Sequence, residues 1–157
     1  MQTNFSAAAL ANPRVAEADR ILKRCVHCGL CTAVCSTYVV LGDERDSPRG
    51  RIYLIKDMFE RGGEREPSDQ VRQHVDRCLS CLSCTFTCPS GVDYMHLVDA
   101  ARAEIEERRE RPLKERVLRQ VLAAVIPHPR RFRLAIKLAP LARPMIPLLE
   151  RLGLKEV

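Results

Sequence analysis

A chain of 157 residues suffices for one compact domain, or for a small core with helical extensions. Charged residues make up 29% and aromatics only 4%, with no tryptophan, which fits a soluble globular protein and argues against a broad aromatic surface for stacking single-stranded nucleic acid. The formal charge of +6 first points to nucleic acid, but eight thiolates would bring it to −2 and two oxidised cubane cores of +2 each would return it to +2.

The opening residues, MQTNFSAAALANPRV, lack a basic start followed by an apolar run, so no signal peptide is expected and the cytoplasm is the expected location. In a reducing compartment eight cysteines favour metal over disulfides. Asn12-Pro13 then predicts a helix start, and Val15, Ala18, Ile21 and Leu22 form an apolar stripe leading to Cys25. The stretch Cys25 to Gly42, eighteen residues without Asp, Glu, Lys or Arg, approaches the length of a membrane span. Its four cysteines, one histidine, two threonines and one serine argue against that reading.

Ser47-Pro48 predicts the next helix start, carrying Ile52, Ile55 and Phe59 to a stop at Gly62-Gly63. Ser68 is expected to cap a short helix through Val71 and Val75 into Cys78. After Pro89-Ser90-Gly91, Asp93 caps a longer helix with Leu97, Ala101 and Ile105 on one face, ending near Arg111-Pro112. A further helix over 113–126 stops at Pro127-His128-Pro129, and the remainder reads as two short proline-bounded helices with a basic face. No alternating strand pattern is evident, so the expected class is all-α with irregular cysteine loops.

Those loops repeat. Cys25, Cys28, Cys31 and Cys35 return at Cys78, Cys81, Cys84 and Cys88, each shifted by 53 residues, and Arg24 and Thr32 return as Arg77 and Thr85. Zinc would ordinarily take two separated C-x2-C pairs, and each run here carries one cysteine too many for half a zinc site. A thioredoxin-like C-x-x-C would need a preceding strand. The remaining pattern, C-x2-C-x2-C-x3-C, is that of two-cluster ferredoxins, in which the fourth cysteine ligates the other cluster. One [4Fe–4S] cluster is therefore expected on Cys25, Cys28, Cys31 and Cys88, and a second on Cys78, Cys81, Cys84 and Cys35, with a zinc-bound interaction module as the alternative. Cluster loss should unfold so small a core.

Neighbouring residues carry weaker signals. Gly29 is either a tight turn or a point where backbone N–H groups approach sulfur. His27 is expected to be exposed and uninvolved. Arg24 and Arg77 are cations at helix C-termini or counterions to a cluster, and Arg49 and Arg51 are expected on a solvated helix face. There is no phosphate-binding glycine loop, nucleophile elbow or histidine–carboxylate set, so no catalytic residue is expected and the chain reads as an electron carrier.

The segments CVHCGLCTAVCSTYVVLGDERDSPRGRIYLIKDM and DRCLSCLSCTFTCPSGVDYMHLVDAARAEIE resemble the iron–sulfur subunit of bacterial glycolate oxidase, a resemblance that continues more weakly through RPLKERVLRQVLAAVIPHPRRFRLA. It implies an α-helical ferredoxin domain over 1–111 with two [4Fe–4S] cluster-binding loops, followed by C-terminal helices. It further implies an oxidoreductase complex in which partner subunits, not this chain, carry FAD and oxidise glycolate to glyoxylate. Electrons would pass through the clusters to a quinone-type acceptor. Related subunits serve lactate utilisation, anaerobic glycerol-3-phosphate dehydrogenase and heterodisulfide reductase, and a free ferredoxin serving several partners is a further alternative. Family members continue into cysteine-rich CCG domains, absent from this sequence, so 112–157 is expected to be a helical extension leading towards them. Its basic stretch from Arg130 to Leu154 is expected to pack on such a domain or partner, with peripheral attachment to the inner membrane face as the alternative. The family has proline where Ser36 stands here, which removes a fixed φ but no ligand.

Overall fold

In the computed structural model, residues 1–62, 66–108 and 111–142 are described, and the chain divides into two compact units, Met1–Glu110 and Arg111–Val157. The described residues of the first unit form helices α1 (Ala7–Leu10), α2 (Pro13–Lys23), α3 (Ser36–Leu41), α4 (Pro48–Glu60), α5 (Asp69–Asp76), α6 (Ser83–Thr87) and α7 (Tyr94–Arg108), with a 3-10 turn at Glu44–Asp46. No strand occurs among the described residues.

Side-chain caps fix where the long helices begin. Asn12 accepts from the Arg14 N–H at 2.9 Å and Ser47 from the Gly50 N–H at 2.9 Å, with Pro13 and Pro48 in the first turns of α2 and α4. Ser68 accepts from the Val71 N–H at 3.3 Å, and Asp93 from that of His96 at 3.3 Å. Gly62, at φ +60°, follows the end of α4, whereas the second glycine of the expected stop, Gly63, lies outside the described residues.

Helix α7 is central, and α2, α4 and α5 all pack against it. The core is built from Val15, Ala18, Ile21 and Leu22 of α2, Ile52, Ile55, Met58 and Phe59 of α4, Val71 and Val75 of α5, and Leu97, Val98, Ala101 and Ile105 of α7. Each large aliphatic side chain contributes about 1.5–3 kcal/mol by leaving water. Both α2 and α5 end at the first cysteine of a run, so the core directly sets the position of both loops.

One expectation changes: the second cysteine run is not wholly irregular, since α6 lies within it. In the second unit, α8 (Leu113–Val125) packs on α9 (Pro129–Ala142), which lies where the first of the two expected basic helices begins. Pro140 sits in its last described turn, where losing one backbone donor does not break the helix. The rest of the expected basic helices, 143–157, lies outside the described residues. Among the described residues no helix is long and apolar enough to cross a membrane.

Candidate metal centre

The repeat extends from the cysteines to the backbone that carries them. Arg24 and Arg77 each form the C-cap of the preceding helix, and the N–H groups of Cys25 and Cys78 bond back to Leu22 O (3.0 Å) and Val75 O (3.2 Å). Thr32 N donates to Gly29 O and Thr85 N to Leu82 O, both at 2.9 Å. Cys35 N then reaches Thr32 O (3.2 Å) and Cys88 N reaches Thr85 O (3.3 Å). Left-handed backbone recurs at the same positions: His27 and Ser80 at φ 57° and 51°, Gly29 and Leu82 at φ 80° and 59°. Leu82 accepts a conformation that costs a non-glycine residue roughly 1–2 kcal/mol. That it does so where the first loop has glycine indicates that the loop shape itself is required.

The segment Ser47-Pro48-Arg49-Gly50-Arg51 locks these loops onto the core. Ser47 caps α4 and Pro48 opens it. Gly50 lies against the 3-10 turn so tightly that a Cβ would stand 2.0 Å from Glu44 O. Arg49 lies over the first loop, its Nη1 2.7 Å from where a Cβ on Gly29 would be, and its Nε donates to Glu44 Oε1 at 2.8 Å.

Arg51 corrects the expectation of a solvated face, because it is 1% exposed. Its Nε donates to His74 O at 2.6 Å, Nη2 to Thr37 Oγ1 at 3.1 Å and Asp46 Oδ1 at 3.4 Å, and Nη1 to Cys35 Sγ at 3.8 Å. Asp46, fully buried, also meets His74 Nδ1 at 2.9 Å and accepts from Arg77 Nη1 at 3.1 Å. Thr37 donates to Asp46 O at 2.9 Å. Asp43, Asp46 and His74 bring three ligand atoms within 4.8 Å of one another, but Asp46 is committed to two guanidinium groups and an imidazole. This cluster is an ion-pair hub. Sequence reading missed it because a helical Arg pattern does not reveal which side faces inward; the nearby glycine, which permits close approach, was the available signal.

Two cavities hold the sulfurs. The first, about 450 Å³ of empty space partly open to solvent, is lined by Cys25, Cys28, Cys31, Cys84 and Cys88 with His27, Arg49 and Val92. The second, about 320 Å³, is lined by Cys35, Cys78, Cys81 and Cys84 with Thr37, Arg51 and Leu82. Pro48, Cys84 and Tyr94 line both. Cys25, Cys35 and Cys84 are buried and Cys28 and Cys81 exposed, and all eight cysteines are free. Cys35 N-caps α3, whereas Cys88 C-caps α6 and leads into a turn, so only the first run opens a helix directly at its fourth cysteine.

The chain disfavours bare thiolates at the inner positions. Burial first, and then neighbouring Cys78, Cys31 and Cys35, push the Cys84 thiol up to about 11. Burial likewise raises Cys31, with Cys25, Cys28 and Cys88 adding to the shift. Near solvent, the Ser83 N–H and hydroxyl lower Cys81 by hydrogen bonding. A cationic core bound among these sulfurs removes the penalty by neutralising them, and its binding releases protons. The donors facing each cavity are soft sulfurs, suited to iron–sulfur clusters or zinc rather than hard oxygen-seeking cations. His27 is less detached than expected: its ring stacks on Tyr53, with centroids 4.4 Å apart, and its Nδ1 lies 3.9 Å from Cys25 Sγ.

Known proteins agree with this donor set. Residues 21–92, which contain all eight cysteines, match the 4Fe-4S dicluster domain. The chain is 48% identical to the glycolate oxidase iron–sulfur subunit of Escherichia coli strain K12, over 94% of this chain and 35% of that protein. It is 40% identical to the probable glycolate oxidase iron–sulfur subunit of Bacillus subtilis strain 168, over 74% of this chain and 26% of that one. An Hdr-like menaquinol oxidoreductase iron–sulfur subunit 2 of Archaeoglobus fulgidus is 29% identical over 47% of the chain. The chain thus spans about a third or less of the length of these two glycolate oxidase subunits. No solved structure matches it. The chain is an all-α iron–sulfur protein whose residues 21–92 match the 4Fe-4S dicluster domain, and over most of its length it is similar to glycolate oxidase iron–sulfur subunits.

Proposed function

We propose that this chain is the electron-transfer part of a flavin-dependent glycolate, or closely related 2-hydroxyacid, dehydrogenase. Cys25, Cys28, Cys31 and Cys88 would hold one [4Fe–4S] cluster, and Cys78, Cys81, Cys84 and Cys35 the other. The observation that carries this reading is the lining of the cavities: three cysteines of one run face each of them together with the fourth cysteine of the other run. Each cluster supplies one-electron storage. The chain's own residues hold the sulfurs in place, and the buried Tyr94 and Pro48 form a shared wall that keeps the two sites adjacent. FAD would reside on partner subunits, and the electrons would leave to a quinone-type acceptor. The unit over 112–157 would serve as the helical link to further domains or partners, exposing Val117 and Val121 on α8 and Phe132 and Ile136 on α9.

The test is anaerobic purification with the flavin subunits, followed by iron and acid-labile sulfide analysis and EPR after addition of glycolate. Two cubane signals appearing with glycolate are expected. Zinc in place of iron would overturn the cluster assignment, and clusters reducible by dithionite but by no 2-hydroxyacid would overturn the substrate class.

A further inference from the structure

The two sulfur sites are unequally supplied with hydrogen-bond donors. At the second, Arg51 Nη1 donates to Cys35 Sγ at 3.8 Å and Tyr94 Oη to Cys78 Sγ at 3.7 Å, while Thr37, whose hydroxyl proton goes to Asp46 O, accepts from Arg51 Nη2 at 3.1 Å and so holds the guanidinium in place. At the first, His27 Nδ1 lies 3.9 Å from Cys25 Sγ. The surrounding cations differ in how deeply they are enclosed. Arg49, beside the first loop, is paired with Glu44. Lys56 is paired with Glu60, while the Met1 ammonium and Arg24 meet only backbone carbonyls and sit near solvent, which screens them. Beside the second site, Arg51 and Arg77 share the single carboxylate of Asp46, which leaves an excess positive charge, with Arg51 and Asp46 both fully enclosed.

We propose that Arg51, assisted by Thr37 and Tyr94, makes the Cys35–Cys78–Cys81–Cys84 cluster the higher-potential one of the pair. The step is [4Fe–4S]2+ + e− → [4Fe–4S]+, with no bond broken and no proton moved, so the added charge must be met by groups already in place. Donors to sulfur and a nearby cation favour the reduced form and raise its potential. Burial strengthens the effect by lowering the local dielectric. Arg51 is a positioning and tuning residue here, acting through Cys35. An electron reaching either cluster then settles on the second, and the first serves as the low-potential relay.

This inference rests on the crossed ligation proposed above, with Cys35 on the second cluster. It is tested by anaerobic EPR-monitored redox titration of the cluster-loaded protein and of Arg51→Met, Arg51→Lys and Thr37→Val. Two one-electron waves are expected. Arg51→Met should lower the upper wave alone, its reduction equilibrium falling about tenfold, or about 59 mV for one electron. Arg51→Lys, which keeps the charge, should recover part of that fall. Thr37→Val should lower the same wave by less, and it decides the matter if Arg51→Met cannot retain its clusters. A shift confined to the lower wave, an equal shift of both, or no shift in either would overturn the proposal. A wild-type protein that binds only one cluster would overturn the ligation reading instead, and iron analysis detects that before any potential is measured.

Discussion

Cys35 and Cys88 share one extended backbone conformation, φ −87°, ψ 110° and φ −79°, ψ 112°, although the first precedes Ser36 and the second Pro89. This is the region that a following proline imposes. Ser36 is the first residue of α3, where proline is tolerated because the N–H has no intrahelical partner. Ser36→Pro should therefore fold normally and gain about 0.4–1 kcal/mol by restricting the unfolded chain. Urea unfolding under argon, with cluster absorbance followed in parallel, checks this; a destabilised variant would show that the first loop needs a freedom its backbone angles do not reveal.

Gly50 predicts the opposite response. Its missing Cβ lets α4 lie directly on the Glu44 carbonyl, so Gly50→Ala forces two backbones apart. The expected loss is about 3 kcal/mol, the upper end for overpacking. It should be accompanied by weakened retention of the second cluster, since Asp46 and Arg51 flank the same contact. Iron content after gel filtration, measured with the urea midpoint, tests both parts.

Arg14 joins α2 to α7 through Glu104 (3.2 Å) and Glu107 (2.7 Å). Its hydrogen bond holds the Glu107 carboxyl below the ordinary 4.5. A depressed carboxyl contributes stability that is fully present above its unfolded value and lost as pH falls through the folded one. Arg14→Gln should therefore lower Tm at pH 7, and the gap from wild type should narrow below pH 4.5. A gap independent of pH would assign the effect to packing of the Arg14 stem.

Iron removal should cost much of the helicity. Each loop starts at the end of a core helix and turns through left-handed residues, His27 and Gly29 in the first and Ser80 and Leu82 in the second, with Cys25, Cys35 and Cys84 buried. Without a cationic core, nothing offsets that strain and crowding. Anaerobic chelation followed by far-UV circular dichroism should show a large loss of signal. An unchanged spectrum would mean that the contacts among α2, α4, α5 and α7 suffice on their own.

The cap-and-stripe pattern made the long helices legible: Asn12-Pro13 and Ser47-Pro48 mark starts, and Val15, Ile21, Ile52 and Ile55 lie on buried faces as their spacing requires. The cysteine spacing pointed to the metal chemistry because three thiols two residues apart suit few other centres. Arg51 stayed hidden, since its burial depends on the approach of Asp46, His74 and Cys35 from other segments. The matching turn at Leu82 was equally hidden, because leucine does not advertise a positive φ as glycine does at Gly29.

Crossed ligation is the central claim, and paired double substitutions read by EPR and iron analysis test it most directly. Cys25→Ala with Cys88→Ala removes two ligands of one proposed cluster and should leave the other intact, with about four irons per chain and a full [4Fe–4S]+ signal. Cys25→Ala with Cys35→Ala removes one ligand from each and should leave neither cluster intact. The reverse result, a surviving intact cluster in the second variant and none in the first, would contradict the account.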